Sequence, residues 1–267
     1  MSSGAQTDVL VQILDAVRDR LAHEAPPVGL EQRAREAAGV RRRDGRRSLL
    51  AALAAPGVRV IAECKRRSPS AGWLRSPFEP LELARAYAGG GAAALSVVTE
   101  PSFFAGQPGW VPLVRNAVTV PVMQKDFLIA PRQLYEAVLL GADAVLLIAR
   151  VLPGAQLGEM LTVADALGLE ALVEVHDERD LERALTCHAS VIGINSRDLR
   201  SFAVDTGAAA ALAARVPPDR IAVLESGIRG REDVQRMLGL GLRHFLVGEH
   251  LLRAPDPGAA LAALVAG

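Results

Sequence analysis

The sequence predicts an α/β protein built as a single (β/α)8 barrel with extra N-terminal helices, and three observations carry that prediction. The chain has 267 residues, close to the ~250 typical of one such barrel. Eight short β-branched or aliphatic runs alternate with amphipathic stretches, the pattern of repeated βα units feeding a parallel sheet. The glycine-rich first turn of an open doubly wound sheet is missing, as is any linker or low-complexity run that would mark a second domain.

The first 57 residues precede the first run. They contain the amphipathic stretch VLVQILDAVRDRL (Val9 to Leu21) and an arginine-rich segment ending at Arg47, and they are expected to pack as helices on one barrel mouth. Residues 58–267 are expected to form the barrel. Its predicted strands are residues 58–64, 93–99, 121–126, 144–149, 170–175, 191–196, 222–226 and 244–249. Helices are expected between them, for example PLELARAYAGG, which ends in glycines, and DERDLERALT, which opens with an acidic turn.

Composition narrows the function. Lys+Arg and Asp+Glu are both 30, so no net basic field gathers nucleic acid or anionic lipid. No uncharged apolar run reaches the ~18 residues of a membrane span. Cys64 and Cys187 are far apart, and the first ten residues lack a secretory pattern. A cytoplasmic protein with no nucleic-acid or membrane partner is expected. The five histidines show no metal-ligand spacing.

Of the 30 cations, 28 are arginine, and the two lysines are Lys65 and Lys125. A solvated surface charge is served equally by either residue, but proton transfer needs an amine whose pKa can fall, which guanidinium cannot provide. Retained lysines in such a chain are therefore candidates for chemistry.

Barrel sites form at the C-terminal ends of the strands, where alternate side chains point inward. In the first run Glu63 and Lys65 share a face and Cys64 points the other way. Lys125 ends the third, Glu174 stands near the end of the fifth, Asn195 and Arg197 close the sixth, and Glu225 closes the seventh. A mixed cluster of this kind in one water-poor cavity is costly unless paired, and it shifts pKa values as acid and base catalysis requires. Ser226 and Gly227 after strand seven, with Gly248 and Glu249 after strand eight, can present backbone N–H groups to a phosphate. Ser68 and Lys65 would complete the anion cradle.

The segments AECKRRSPSAG, SVVTEPSFFAG, VPVMQKDFLIAPRQLYEA, LVEVHDERDLERA, IGINSRDLRSF, ESGI and FLVGEHLL together resemble the indole-3-glycerol phosphate synthases, in the right order over roughly residues 58–252. The resemblance implies ring closure, decarboxylation and dehydration of 1-(2-carboxyphenylamino)-1-deoxyribulose 5-phosphate, without metal or organic cofactor, and a monomer is expected. By resemblance Lys125 is the general acid at the ketose oxygen. Glu174 stabilises the iminium charge and holds Lys125. Lys65 meets the substrate carboxylate and can protonate the departing hydroxyl, and Glu63 is the base of the dehydration. Asn195, Arg197 and Glu225 orient carboxylate and hydroxyls. Ser68, Ser226, Gly227, Gly248 and the Glu249 backbone hold phosphate, and Pro69, Phe104, Phe127, Leu146 and Leu199 form the apolar slot for the aromatic ring. Two rivals are a phosphoribosylanthranilate isomerase, which would need a cysteine and an aspartate at strand ends, and a non-catalytic barrel binding a phosphorylated ligand.

Overall fold

A computed structural model of the chain describes residues 9–195, 197 and 205–266. Its eight parallel strands close into one barrel in chain order. They are β1 (Arg59–Cys64), β2 (Ala94–Val98), β3 (Val122–Lys125), β4 (Ala144–Ile148), β5 (Glu170–Val175), β6 (Val191–Ile194), β7 (Ile221–Leu224) and β8 (His244–Val247). Each lies within about two residues of its expected run. Closure is made where β1 pairs with β8, Arg59 opposite His244 and Ala62 opposite Val247.

Alternation along the strands separates two cores. Val60, Ala62 and Cys64 of β1 pack outward with the helices. Ile61, Met123, Ala144, Leu146, Leu172, Val191, Val223 and Leu246 fill the barrel interior. The two stretches expected to be helical, PLELARAYAGG and DERDLERALT, form the helices Pro80–Gly89 and Glu178–Thr186. Asp177 caps the helix over Glu178–Thr186, its carboxylate accepting from Asp180 N at 2.9 Å, which places a favourable negative charge at the helix start.

Three helices precede β1: α1 (Val9–His23), α2 (Leu30–Asp44) and α3 (Leu49–Ala54). Against the expectation of helices on a single mouth, they divide between the two ends. Only α1 reaches the C-terminal mouth, where Val9, Leu10 and Ile13 line the cavity. The arginine-rich end of α2 descends the barrel wall: Arg41 donates to Ala142 O and to Asp143 Oδ1, both at 2.7 Å. Asp143 also accepts from Val122 N at 3.0 Å, which ties this arginine to the start of β3.

The short helix α3 plugs the opposite mouth. Its Leu49 and Leu53 are fully buried beneath the interior core, each contributing roughly 1.5–3 kcal/mol. Ser48 caps it by accepting from Ala51 N at 3.0 Å and itself donates to Glu170 Oε1 at 2.7 Å. Arg-rich composition therefore has a second meaning here, since planar guanidinium groups are suited to collecting the carbonyls of the connections between helices and strands.

One feature was not foreseen: a small antiparallel hairpin, Arg67–Ser68 with Gly72–Trp73, follows β1. A short helix, Glu249–Arg253, begins after Gly248 and precedes the last helix, Pro257–Val265. No helix among the described residues is long and apolar enough to cross a membrane.

Candidate active site

The C-terminal mouth holds a cavity of ≈ 830 Å³, within the range for a small-molecule site. Every predicted site residue among the described ones lines it: the two lysines, the three glutamates, Asn195 and Arg197, the phosphate-loop candidates, and Pro69, Phe104, Phe127 and Leu146. Leu199 lies outside the described residues.

Strand ends aim four charges at one point. Lys125 Nζ donates to Glu225 Oε2 at 2.7 Å and stands 3.7 Å from both Glu63 Oε2 and Glu174 Oε2. The nearest partner of Lys125 is therefore Glu225 across the barrel, with Glu174 a further shell out. Lys65 pairs with Glu63 Oε1. Burial would raise the Glu63 carboxyl, but Lys65 and Lys125 outweigh it and hold it below its ordinary range. Burial works against the Lys125 ammonium, and the surrounding Glu225, Glu63 and Glu174 reverse that and raise its pKa.

Three carboxyls and two ammoniums leave one negative charge in excess. Glu225 carries the consequence. Burial pushes its carboxyl up to about 8, against Lys125 and with Glu174 adding repulsion. Its Oε1 is buried and finds no hydrogen-bond partner, so nothing solvates a charge on that oxygen. Glu174, by contrast, is held low because Lys125, His176 and Asn195 overcome its burial.

Asn195 organises the far wall. Its Nδ2 donates to Glu174 Oε1 at 3.2 Å, while its Oδ1 accepts from Ser226 Oγ at 3.0 Å and Arg197 N at 3.0 Å. One amide thus fixes the Glu174 carboxylate relative to the loop after β7. Glu249 is held by Arg253 Nε at 3.0 Å on its own helix, which engages its carboxylate and leaves the backbone before it for a ligand.

Two glycines make this packing possible. A Cβ at Gly193 would stand 2.0 Å from Glu225 Oε1 and 2.4 Å from Leu172 Cδ2, and one at Gly248 would stand 2.7 Å from Glu63 Oε1. Each carboxylate occupies the space of an absent side chain. Gly248, expected as a phosphate contact, has this steric role as well.

The apolar slot opens beside the lysine. Phe104 and Phe127 stand with ring centroids 6.1 Å apart and planes tilted by 37°. Leu146 is both interior core and cavity wall. Pro69 sits exposed at the rim, and Ser68, buried in the hairpin, accepts from Ala71 N at 3.1 Å.

Residues that the sequence reading left without a role also enter the site. His176 Nε2 lies 3.2 Å from Glu174 Oε1, and burial, outweighing Glu174, lowers its pKa and favours neutral imidazole. The alternation that placed Glu174 inward places His176 on the same face. Glu100 and Asp126, one residue or two beyond β2 and β3, are buried carboxylates at the edge of the slot. Cys64 takes no part: it is fully buried among the helices, and burial pushes its thiol up to about 12, which removes the cysteine an isomerase of the rival kind would need.

A model of the indole-3-glycerol phosphate synthase family matches residues 10–264. The chain is 47% identical over 222 residues to the indole-3-glycerol phosphate synthase of Carboxydothermus hydrogenoformans, covering 83% of this chain and 84% of that one. It is 42% identical to that of Paracidovorax citrulli over 265 residues, 97% of this chain and 100% of the relative. Among solved structures, 3-hexulose-6-phosphate synthase superposes with a TM-score of 0.63 at 17% identity, over 77% of this chain and 97% of that one. Thiamine phosphate pyrophosphorylase from Pyrococcus furiosus gives 0.62 at 17% identity, over 81% and 96%. Those two share the barrel; the sequence relatives and the family model carry the assignment, and the chain belongs to the indole-3-glycerol phosphate synthase family.

Proposed function

We propose that this chain converts 1-(2-carboxyphenylamino)-1-deoxyribulose 5-phosphate to indole-3-glycerol phosphate, carbon dioxide and water, with the residues of the mouth in distinct roles. The observation that carries the assignment is Lys125, an ammonium enclosed by the carboxyl groups of Glu63, Glu174 and Glu225 at the edge of an aromatic slot.

In this reading the aromatic ring enters between Phe104 and Phe127 against Leu146 and Pro69, with Leu199 as a further wall. The ring carbon bearing the carboxylate attacks the ketose carbon, and Lys125 gives its proton to the ketose oxygen as the C–C bond forms. The ring nitrogen becomes an iminium, and Glu174, held by Asn195, faces that positive charge. The bond to the carboxylate then breaks, its electron pair returns to the ring system, and carbon dioxide leaves. Lys65 protonates the departing hydroxyl while Glu63 removes the proton from the adjacent carbon, which completes the indole and releases water.

Charge is placed where it develops, among buried carboxyl groups at the strand ends, and such preorganised electrostatics contribute most to catalysis. A lysine surrounded by carboxylates keeps its proton until the ketose oxygen becomes a strong enough base to take it. Glu225, with Arg197, orients hydroxyls and carboxylate. Ser68, Ser226, Gly227, Gly248 and the Glu249 backbone receive the phosphate.

The two free thiols, Cys64 and Cys187, fit a reducing cytoplasm. Product fluorescence from the ribulose phosphate substrate and pure protein tests the reaction. A folded sample that forms no product overturns it.

A further inference from the structure

Glu100 follows β2 and is 1% exposed. Among the described residues no cationic side chain lies within ion-pair distance of it. Its charge is met by the backbone of its own loop: Oε1 accepts from Ser102 N at 2.9 Å, and Oε2 accepts from Phe103 N at 2.7 Å and Phe104 N at 3.0 Å. Hydrogen bonds to an ionised acceptor are roughly twice as strong as neutral ones, so the carboxylate is a rigid centre around which three consecutive residues fold.

The rest of the turn is equally constrained. Gly106 N returns to Glu100 O at 2.8 Å, and a Cβ at Gly106 would stand 2.5 Å from Val98 O. Ala105, between them, takes a left-handed φ of 52°, which a non-glycine residue adopts only when its neighbours impose it. The outcome is that Phe104 is held against the cavity opposite Phe127. Across the slot Asp126 does the same for the facing ring, its Oδ1 accepting from Phe127 N at 2.8 Å and its Oδ2 from Thr99 Oγ1 at 2.6 Å.

We propose that Glu100 is a positioning residue for substrate selection: by gathering the N–H groups of residues 102 to 104 it fixes Phe104 against Phe127 and so sets the width of the slot that admits a planar aromatic ring. The inference rests on the proposed reaction for the identity of that ring and deepens it, because it assigns aromatic selectivity to a residue that touches the loop instead of the reacting atoms. A neutral acceptor cannot hold the same three donors. In Glu100→Gln the amide nitrogen replaces one acceptor oxygen with a donor and faces an N–H group of the loop.

The test compares two non-reacting ligands of the intact chain, 1-phenylamino-1-deoxyribitol 5-phosphate as the aryl ligand and 1-amino-1-deoxyribitol 5-phosphate as the amino ligand, each against its own affinity for the parent, so that the phenyl ring is tested without the substrate carboxylate. Glu100→Ala is expected to weaken the aryl ligand by about tenfold or more and the amino ligand by less than about twofold, with Glu100→Gln between parent and alanine. In turnover KM should rise more than kcat falls. Equal weakening of both ligands would show general damage to the mouth and overturn the inference, as would an unchanged aryl affinity. If Glu100→Ala does not fold, Glu100→Gln decides by the same comparison. A parent chain that binds the aryl ligand but makes no product overturns only the proposed reaction; one that fails to bind it overturns the slot and this inference together.

Discussion

Lys125 donates to Glu225 at 2.7 Å, a full ångström closer than to Glu174. The pair spans the barrel from β3 to the end of β7, and Glu174 is tied instead to Asn195 Nδ2 at 3.2 Å. In the proposed reaction this separates two duties: Glu225 anchors the ammonium and Glu174 faces the substrate cation.

If Lys125 is a proton donor, Lys125→Arg should fold, bind the aryl ribitol phosphate, and lose at least ~10²-fold in kcat, the lower end of what general acid catalysis contributes. Guanidinium retains the charge but holds its protons too tightly, and its planar fork misplaces the donor. Steady-state kinetics with a binding measurement on the same sample separates the two effects. Turnover within a few-fold of the parent rejects the acid role.

The two lysines were legible because 28 of 30 cations are arginine, and the eight strands because β-branched runs recur between amphipathic ones. Strand alternation also placed Glu63, Glu174 and Cys64 on their correct faces. What periodicity does not contain is distance across the barrel: the partner of Lys125 depends on the closed circumference, which brings together residues 100 positions apart. The path of α2 was hidden for a similar reason, since Arg41 finds Asp143 across 102 positions. Glu100, Asp126 and His176 read as ordinary loop polarity until burial shows otherwise. Gly193 reads as nothing at all, because the side chain that explains it belongs to another strand.

The raised carboxyl of Glu225 has a consequence for stability. Its folded-state pKa of about 8 stands above the ordinary value of 4.5, so its contribution is fully present below the unfolded pKa and is lost as pH rises through about 8. Between pH 5 and pH 9 the parent should lose several degrees of Tm that Glu225→Gln does not lose. Thermal unfolding across that range gives both curves, and parallel curves would mean that Glu225 does not hold a proton in this window.

The division of the N-terminal segment between two ends predicts two different truncation phenotypes. A chain beginning at Leu30 lacks α1, whose Val9, Leu10 and Ile13 wall the cavity and whose Ile13 and Val17 are buried, and should lose a few degrees of Tm while KM rises, since water enters the site. A chain beginning at Leu49 also loses the Arg41–Asp143 pair and the Ser48–Glu170 hydrogen bond. Breaking a buried pair costs about 3 kcal/mol or more, or a Tm drop of roughly 6–12 °C in a protein of this size. Calorimetry and kinetics on both chains check this. Full activity without α1 would show that the helix does not enclose substrate.

Gly193 stands in β6 opposite Glu174 and Val223 of its neighbouring strands, and the methyl group of alanine there would meet Glu225 Oε1 at 2.0 Å. Something must move. The strand backbone is fixed by its ladder on both sides, so the carboxylate yields, and Lys125 loses its shortest contact. Gly193→Ala is therefore expected to cost about 1–3 kcal/mol of stability through overpacking and to lower kcat about tenfold, the equivalent of ~1.4 kcal/mol in the barrier. A purely steric defect would lower stability alone, so the decisive measurement is the same substitution made in a Glu225→Ala background, where the carboxylate clash is gone and only the 2.4 Å approach to Leu172 Cδ2 remains. There Gly193→Ala should cost less stability than in the parent and should leave the already diminished kcat unchanged, a coupling visible as non-additivity in the double-mutant cycle. An additive loss of kcat in the two backgrounds would mean that the glycine serves the site by some route other than the room it leaves for Glu225.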